Sequence, residues 1–484
     1  MRRYNPYYNP KLLRYCLVMF AVMLVAMRVT NGWGFAVIIP FALLALTRNR
    51  PALFLFYVML SISAVVLNTA ITPKGATFFI EQRAMMGAFG FLLATKVAGQ
   101  RNSPLVKPFL LLVFYLFYMV IPSLQGWVPV VSIMKLLLFG VIYLAFYGAA
   151  NLAATSSRSG IRDVRSVVLA IVCPFVIGSV LLIPFPAISM MGAEELLANP
   201  NVQSLFKGMT SHSQCLGPIV ACIGTIVFSD LMFGIRKPDK LYIVILFCCP
   251  LLVWKTSSRT AMGAMLAGMA FVMFFFVNAR GISSGWKRKV MNAVLGAFVV
   301  LVIAVLCAGG TEKIKKFIVK RGYTEGGMVN TEKVIGGRMA MSDRQFANFR
   351  KKPLMGNGFQ VSEELADRLT GPWYTMLSAP IEKGVWVSAI LEEGGAFGMA
   401  IFLTFVVVTL STLIRRRAYT GASALFVFLI SNLGEFTMFS MSYAGGFVWS
   451  LIFAALALDS ARSREQRHMQ MMPVPNGMWL GYYR

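Results

Sequence analysis

Apolar runs of near-membrane length follow one another along almost the whole chain, separated by short polar and basic links. Spans are predicted at 12–28, 33–47, 52–70, 84–99, 108–125, 130–150, 167–187, 213–234, 240–254, 260–278, 290–309, 386–413, 420–434 and 443–459. A bilayer crossing takes roughly 20 apolar residues and several of these runs are short, so the expected count is about 12–14 helices. Neither a strand-like alternation nor an internal repeat interrupts the pattern. One long polar stretch, 311–384, breaks it, with thirteen Lys and Arg against eight Asp and Glu. Inside it, Lys313–Tyr323 and Arg338–Lys352 carry apolar residues at helical spacing, the second stopped by Pro353, and Gln360–Leu369 is a third candidate helix. The expectation is an all-α polytopic membrane protein with one extracytoplasmic helical cap. Its order is N-terminal helices over 1–200, central helices over 201–310, the cap over 311–384, C-terminal helices over 385–460 and a polar, mobile cytoplasmic tail over 461–484.

Composition narrows this further. The chain is 57% apolar and 13% charged, which excludes an ordinary soluble domain. A net charge of +27 would suit nucleic acid, but the basic residues sit in short clusters between apolar runs. There they orient a membrane protein and meet anionic lipids, so no nucleic-acid partner is expected. With the N-terminus inside, the basic clusters fall on one side: Arg48/Arg50, Arg101/Lys107, Arg158/Arg162/Arg165, Arg236/Lys237/Lys240, Arg280/Lys287/Arg288/Lys289, Arg415–Arg417 and the tail with Arg462, Arg464 and Arg467. This alternation predicts an even number of spans, both termini cytoplasmic and the 311–384 stretch outside. The first apolar run lacks a small-residue cleavage site and is expected to remain as an anchor. The seven cysteines show neither metal spacing nor a disulfide framework and read as small core residues.

Four motifs carry candidate chemistry. Arg338 lies in a predicted helix that stops at Pro353-Leu354-Met355-Gly356-Asn357-Gly358. Gly356 and Gly358 suit either a close backbone approach to an anion or an ordinary turn. Lys255-Thr256-Ser257-Ser258-Arg259-Thr260 sets a guanidinium among hydroxyls at the mouth of an apolar run, either to grip a phosphate or to snorkel at a helix end. Phe206–Gly217, with His212, enters another apolar run. Leu391-Glu392-Glu393-Gly394-Gly395-Ala396-Phe397-Gly398 opens the run that follows the polar stretch. No Walker loop for ATP coupling, no Asp-x-Asp pair and no clustered metal ligands occur, so neither cofactor nor metal is expected.

Taken in order, these segments resemble the O-antigen ligase and polymerase family of bacterial membrane glycosyltransferases, over roughly residues 200–455. The resemblance implies a multi-pass protein of the bacterial inner (cytoplasmic) membrane that moves a glycan from an undecaprenyl-diphosphate-type lipid donor to a glycan or lipid-linked acceptor, with inversion at the anomeric carbon. It also implies membrane lipids and polysaccharide export and chain-length proteins as partners. Arg259, Arg338 and Arg344, with Ser258, Gly356 and Gly358, would hold the diphosphate. Two positions depart from the family. Ser342 stands where an aromatic is usual, and Ile381-Glu382-Lys383-Gly384 replaces the ligase His-Asn pair. Glu382 is therefore the candidate base, against the alternative that it forms a weak surface pair with Lys383. Glu435, His212 and Lys383 are further candidates. Glu435 equally suits interfacial solvation, and His212 a half-buried helix start. The missing histidine favours an O-antigen or exopolysaccharide polymerase over a ligase. A lipid-linked glycan flippase is the rival of another class; it would be expected to show duplicated halves, and a mere scaffold would leave the arginines without a task.

Overall fold

A computed structural model describes residues 7–30, 37–47, 50–65, 67–68, 70–72, 87–93, 95–96, 102–156, 160–190, 205–234, 239–279, 331–363, 383–434, 436–440 and 444–471, with isolated positions near 285–292 and 324–329. Its principal helices are α1 (Pro10–Val29), α2 (Ile38–Leu46), α3 (Arg50–Ser63), α4 (Leu110–Leu124), α5 (Pro129–Thr155), α6 (Ile161–Leu181), α7 (Ser213–Gly234), α8 (Lys240–Lys255), α9 (Arg259–Asn278), α10 (Thr331–Lys351), α11 (Trp386–Arg415), α12 (Tyr419–Ser431) and α13 (Gly445–Met471). Among the described residues, eight helices are long and apolar enough to cross a membrane, and Ala52–Ser63 and Tyr419–Ser431 are shorter apolar helices. The all-α polytopic reading holds. A two-residue antiparallel pair, 324–325 with 328–329, was not anticipated.

Local signals set the helix ends. Asn9 accepts from the Leu12 N–H ahead of Pro10, and Asp239 accepts from Leu241 N–H at the start of α8. α10 runs to Lys351 and stops before Pro353 as expected, but it begins at Thr331, ahead of Arg338. Three predicted spans end differently. α2 is only nine residues long. α3 stops at Ser63 rather than 70, because Asn68 turns away to donate to the carbonyls of Ile188 and Gly208 while Leu67 bridges Thr210. α13 runs to Met471, past the expected boundary at Asp459. There Arg464 donates to the carbonyls of Ala153, Ala154 and Ser156 and caps the end of α5, which ties the first residues of the expected tail to the bundle; 472–484 lie outside the described residues. Gln360 has φ 50 and is not helical, Glu363 is, and the rest of the predicted third cap helix, 364–369, lies outside the described residues. The predicted span 290–309 and the helix Lys313–Tyr323 lie outside the described residues.

The core is aromatic. Trp449 is fully buried, donates to the Met438 carbonyl at 2.8 Å and meets Phe109, Tyr143 and Phe453. Phe359, from the turn after α10, enters the same core against Phe139 and Phe439. Two buried polar layers bracket it. One surrounds Lys383 at the cap end. In the other, Asp230 on α7 accepts from Arg165 on α6 (2.9 and 3.1 Å), Arg462 on α13 (2.6 Å) and Tyr242 on α8 (3.0 Å). Arg165 and Arg462, read from sequence as loop and tail charges, are thus buried ion-pair partners. α5 reaches both layers, with Lys135 near one and Ala154 near the other. Those residues are about 28 Å apart along an ideal helix, close to the thickness of a bilayer's hydrocarbon core.

Candidate functional site

The cap joins the bundle at a break in α11. Gly395 has φ 65 and ψ −165, outside helical space. Beyond it Ala396–Arg415 is, at about 20 residues, long enough to cross the membrane by itself. The break frees main-chain groups that must be paired inside a bundle. The turn after α10 pairs them. Asn357 and Gly358 donate N–H bonds to the carbonyls of Glu392 (2.9 Å) and Glu393 (3.0 Å). Ala396 and Phe397 donate to the carbonyls of Pro353 (2.8 Å) and Leu354 (3.3 Å). Tyr118 donates its hydroxyl to the Gly394 carbonyl at 2.8 Å. A Cβ at Gly356, where φ is +75, would lie 2.4 Å from the Glu393 carbonyl oxygen.

The glycine spacing therefore meets a different partner from the anion expected of it. Gly356 N–H donates to Lys352, Gly358 N–H to Glu393 and Phe359 N–H to the Ser123 hydroxyl. The turn is built to close a broken helix, and these amides are engaged within the protein.

Beneath the turn lies a cluster of buried charges. Lys383 Nζ is 2.9 Å from Glu392 Oε2 and 2.9 Å from Glu393 Oε1, and all three side chains are at most 3% exposed. Burial pushes the Lys383 pKa down, but the two carboxylates outweigh it and hold it above the ordinary lysine value. Lys383 is thus a fixed cation and not a proton acceptor. It is also not the surface partner of Glu382. Glu392 Oε1 accepts from Asn348 Nδ2 on α10 at 2.9 Å, and Ser388 donates to Gln345 of α10 at 2.6 Å. Lys135, buried on α5, donates to the Gln360 carbonyl at 3.2 Å. Sequence reasoning used Glu392 and Glu393 only as part of a signature and passed over Lys135. An ionisable residue inside an apolar run was the available signal for each.

Of the remaining candidates, Ser258 and Arg259 stand at the start of α9. Ser258 is the N-cap and Arg259 the first helical residue, half-buried. The start of α7 crowds one flank, where a Cβ at Gly217 would sit 2.8 Å from Ser258 Cβ. The turn after α12 crowds the other, where a Cβ at Gly434 would sit 2.1 Å from Thr260 Oγ1. That turn is tied to the Lys383 segment: Phe436 N–H donates to the Lys383 carbonyl at 2.9 Å, and Trp386 N–H to the Asn432 carbonyl at 3.1 Å. The segments of Arg259, Ser258, Lys383 and the 432–437 turn therefore converge. His212 Nδ1 accepts from Gln214 N–H at 3.1 Å. This puts the proton of a neutral ring on Nε2 and makes His212 a cap at the start of helix α7. Arg344 is exposed on α10, beside the inward-facing Gln345. Glu382, Glu435 and the Arg338 side chain lie outside the described residues; Arg338 is placed on α10 by its backbone.

Comparison with known proteins adds one finding. Residues 241–378 match the family described as O-antigen ligase. The matched segment holds Ser258, Arg259, Arg338, Arg344, Gly356 and Gly358, and stops short of Lys383. No curated protein matches the chain. The match supports the resemblance read from the sequence and membrane glycosyltransferase activity of the ligase and polymerase type.

Proposed function

We propose, from the match of residues 241–378 to the O-antigen ligase family, that this membrane protein polymerises glycans on the extracytoplasmic face from a polyprenyl-diphosphate-linked donor. The observation that carries the reading is the convergence at the cap end. The start of α9 with Arg259 packs against the turn that bears Glu435, and that turn is hydrogen-bonded to the segment that bears Lys383 and, next to it, Glu382. A helix N-terminus with hydroxyls and a guanidinium favours a diphosphate.

In the reaction an acceptor hydroxyl attacks the anomeric carbon. The bond from that carbon to the diphosphate oxygen breaks, and its electron pair leaves with the diphosphate. Arg259, Arg338 and Arg344, with Ser258, meet the charge that develops there. Glu382 takes the hydroxyl proton. Attack opposite the leaving group inverts the centre, and the arginines supply the positive charge a metal would otherwise bring.

Ligation is the second reading, favoured by the description of the matching family. Purified protein incubated with a lipid-diphosphate oligosaccharide separates the two. A ladder of longer lipid-linked products is expected. Transfer only to a different lipid-linked acceptor would make it a ligase, and unchanged donor in both arms would overturn the proposal. Cysteine labels at Thr324–Asn330 and Arg415–Arg417 are expected outside and inside respectively; labelling from one side would overturn the orientation.

A further inference from the structure

Glu392 touches both the arginine-bearing helix and the base-bearing segment. Its Oε1 accepts from Asn348 of α10 at 2.9 Å, four residues beyond Arg344. Its Oε2 lies 2.9 Å from Lys383 Nζ, adjacent in sequence to Glu382. Its main-chain carbonyl accepts from Asn357 N–H and, at 3.3 Å, from Asn357 Nδ2, which also donates to the Asn348 carbonyl at 3.1 Å. Glu392 itself sits beside the break in α11 and is buried. A carboxylate placed there has no solvent to fall back on, so its two oxygens are committed to these two neighbours.

We propose that Glu392 is a positioning residue: through Asn348 and Lys383 it holds α10, with its arginines, in register with the segment that presents Glu382. The proposal rests on the glycosyl-transfer reading for what is being positioned, and on the geometry alone for the register. Diphosphate binding needs only the arginines. Transfer also needs the base at the right distance from them, and displacement of about 1 Å can cost on the order of 100-fold in rate. Losing Glu392 should therefore lower kcat and leave donor KM nearly unchanged.

The test uses the full chain in detergent or proteoliposomes. Glu392→Gln keeps the shape but gives up the charge that binds Lys383. The expected result is a fall in kcat of roughly 10- to 100-fold with donor KM within about twofold. Asn348→Leu and Lys383→Met each cut one tie, and in the Glu392→Gln background neither should lower kcat by more than about twofold again. Spin labels at Ala347 on α10 and Arg416 at the far end of α11, both exposed, should give a narrow distance distribution in the parent and a broad one in Glu392→Gln. Wild-type kcat, additive losses or an unchanged distribution would each overturn the proposal. If Glu392→Gln does not fold, Asn348→Leu carries the test alone, since every charge remains in place; the same fall and broadening are expected. If the parent transfers nothing from a lipid diphosphate, the transfer reading fails, while the distance measurement still decides whether Glu392 sets the register.

Discussion

Gly395→Ala should loosen one edge of the joint between the cap and the bundle. At φ 65 and ψ −165 the backbone occupies a region that residues with a Cβ avoid, at a cost of about 1–3 kcal/mol. The added methyl would also lie 2.3 Å from the Leu354 carbonyl oxygen and 2.6 Å from Met355 N, both main-chain atoms. Two responses compete. The whole turn can leave, losing four main-chain hydrogen bonds at about 1 kcal/mol each and exposing Phe359 for about 2–3 kcal/mol more. Alternatively only Pro353–Met355 slips, losing the bonds from Ala396 and Phe397, while Phe359 stays in the core. Backbone strain plus two bonds comes to about 3–5 kcal/mol, so the local slip wins. The variant should melt below the parent and be cut faster by trypsin after Lys351, beside the displaced turn; the Lys352–Pro353 bond is not a trypsin site. Gly398→Ala is the control: its methyl would lie 3.2 Å from a Tyr118 ring carbon and needs only a small side-chain adjustment. Parent-like melting and cleavage in Gly395→Ala would refute the idea that the break holds the cap.

Three other outcomes are expected. Asp230→Asn removes the charge shared by Arg165 and Arg462 and should cost about 3–5 kcal/mol, read by thermal unfolding in detergent; an unchanged melting temperature would mean the layer contributes nothing. Arg259→Ala and Arg338→Ala should abolish product while protein stays in the membrane, and Lys at either position should restore little, because a point charge lacks the planar fork; full activity in either alanine variant removes that residue from the site. Glu382→Gln should slow turnover roughly 100- to 10,000-fold without loss of donor binding, and a parent-like rate would place the base elsewhere. The Lys383 charge should not confuse its pH profile. A raised folded pKa gives stability that is fully present below the unfolded value, about 10.4, and is lost only as pH rises through the higher folded value.

Much of the architecture was legible because hydropathy reports helices directly. The helix bearing Arg338 and its stop before Pro353 follow from apolar spacing and a missing N–H. The break in α11 was less legible, since apolar character runs almost without interruption through 386–413 and a hydropathy window averages over Glu392 and Glu393. Gly394-Gly395 was the only local hint. Arg165 and Arg462 misled in the opposite direction. Counted as loop charges they are ordinary, and only the approach of Asp230 from another helix shows that they are buried. Adjacency in sequence offers Glu382 as an alternative partner for Lys383, whereas Glu392 and Glu393, nine and ten residues further on, are the carboxylates that reach it.

The Asp230 layer has a consequence for how the chain is made. Arg165 precedes its partner by 65 residues, and Arg462 follows that partner by 232. As the protein emerges, α6 enters the membrane with a guanidinium that nothing yet neutralises, and α7 then delivers a single carboxylate to it. Helix α13 arrives much later and brings a second guanidinium together with its own carboxylate, Asp459. The layer closes only once α13 is in place. A chain truncated before α13 would hold Asp230 against one arginine and leave the end of α5 without Arg464. Quality control that recognises unpaired charge within the bilayer would therefore find incomplete copies at this layer, about a membrane's thickness away from the face where the chemistry is placed.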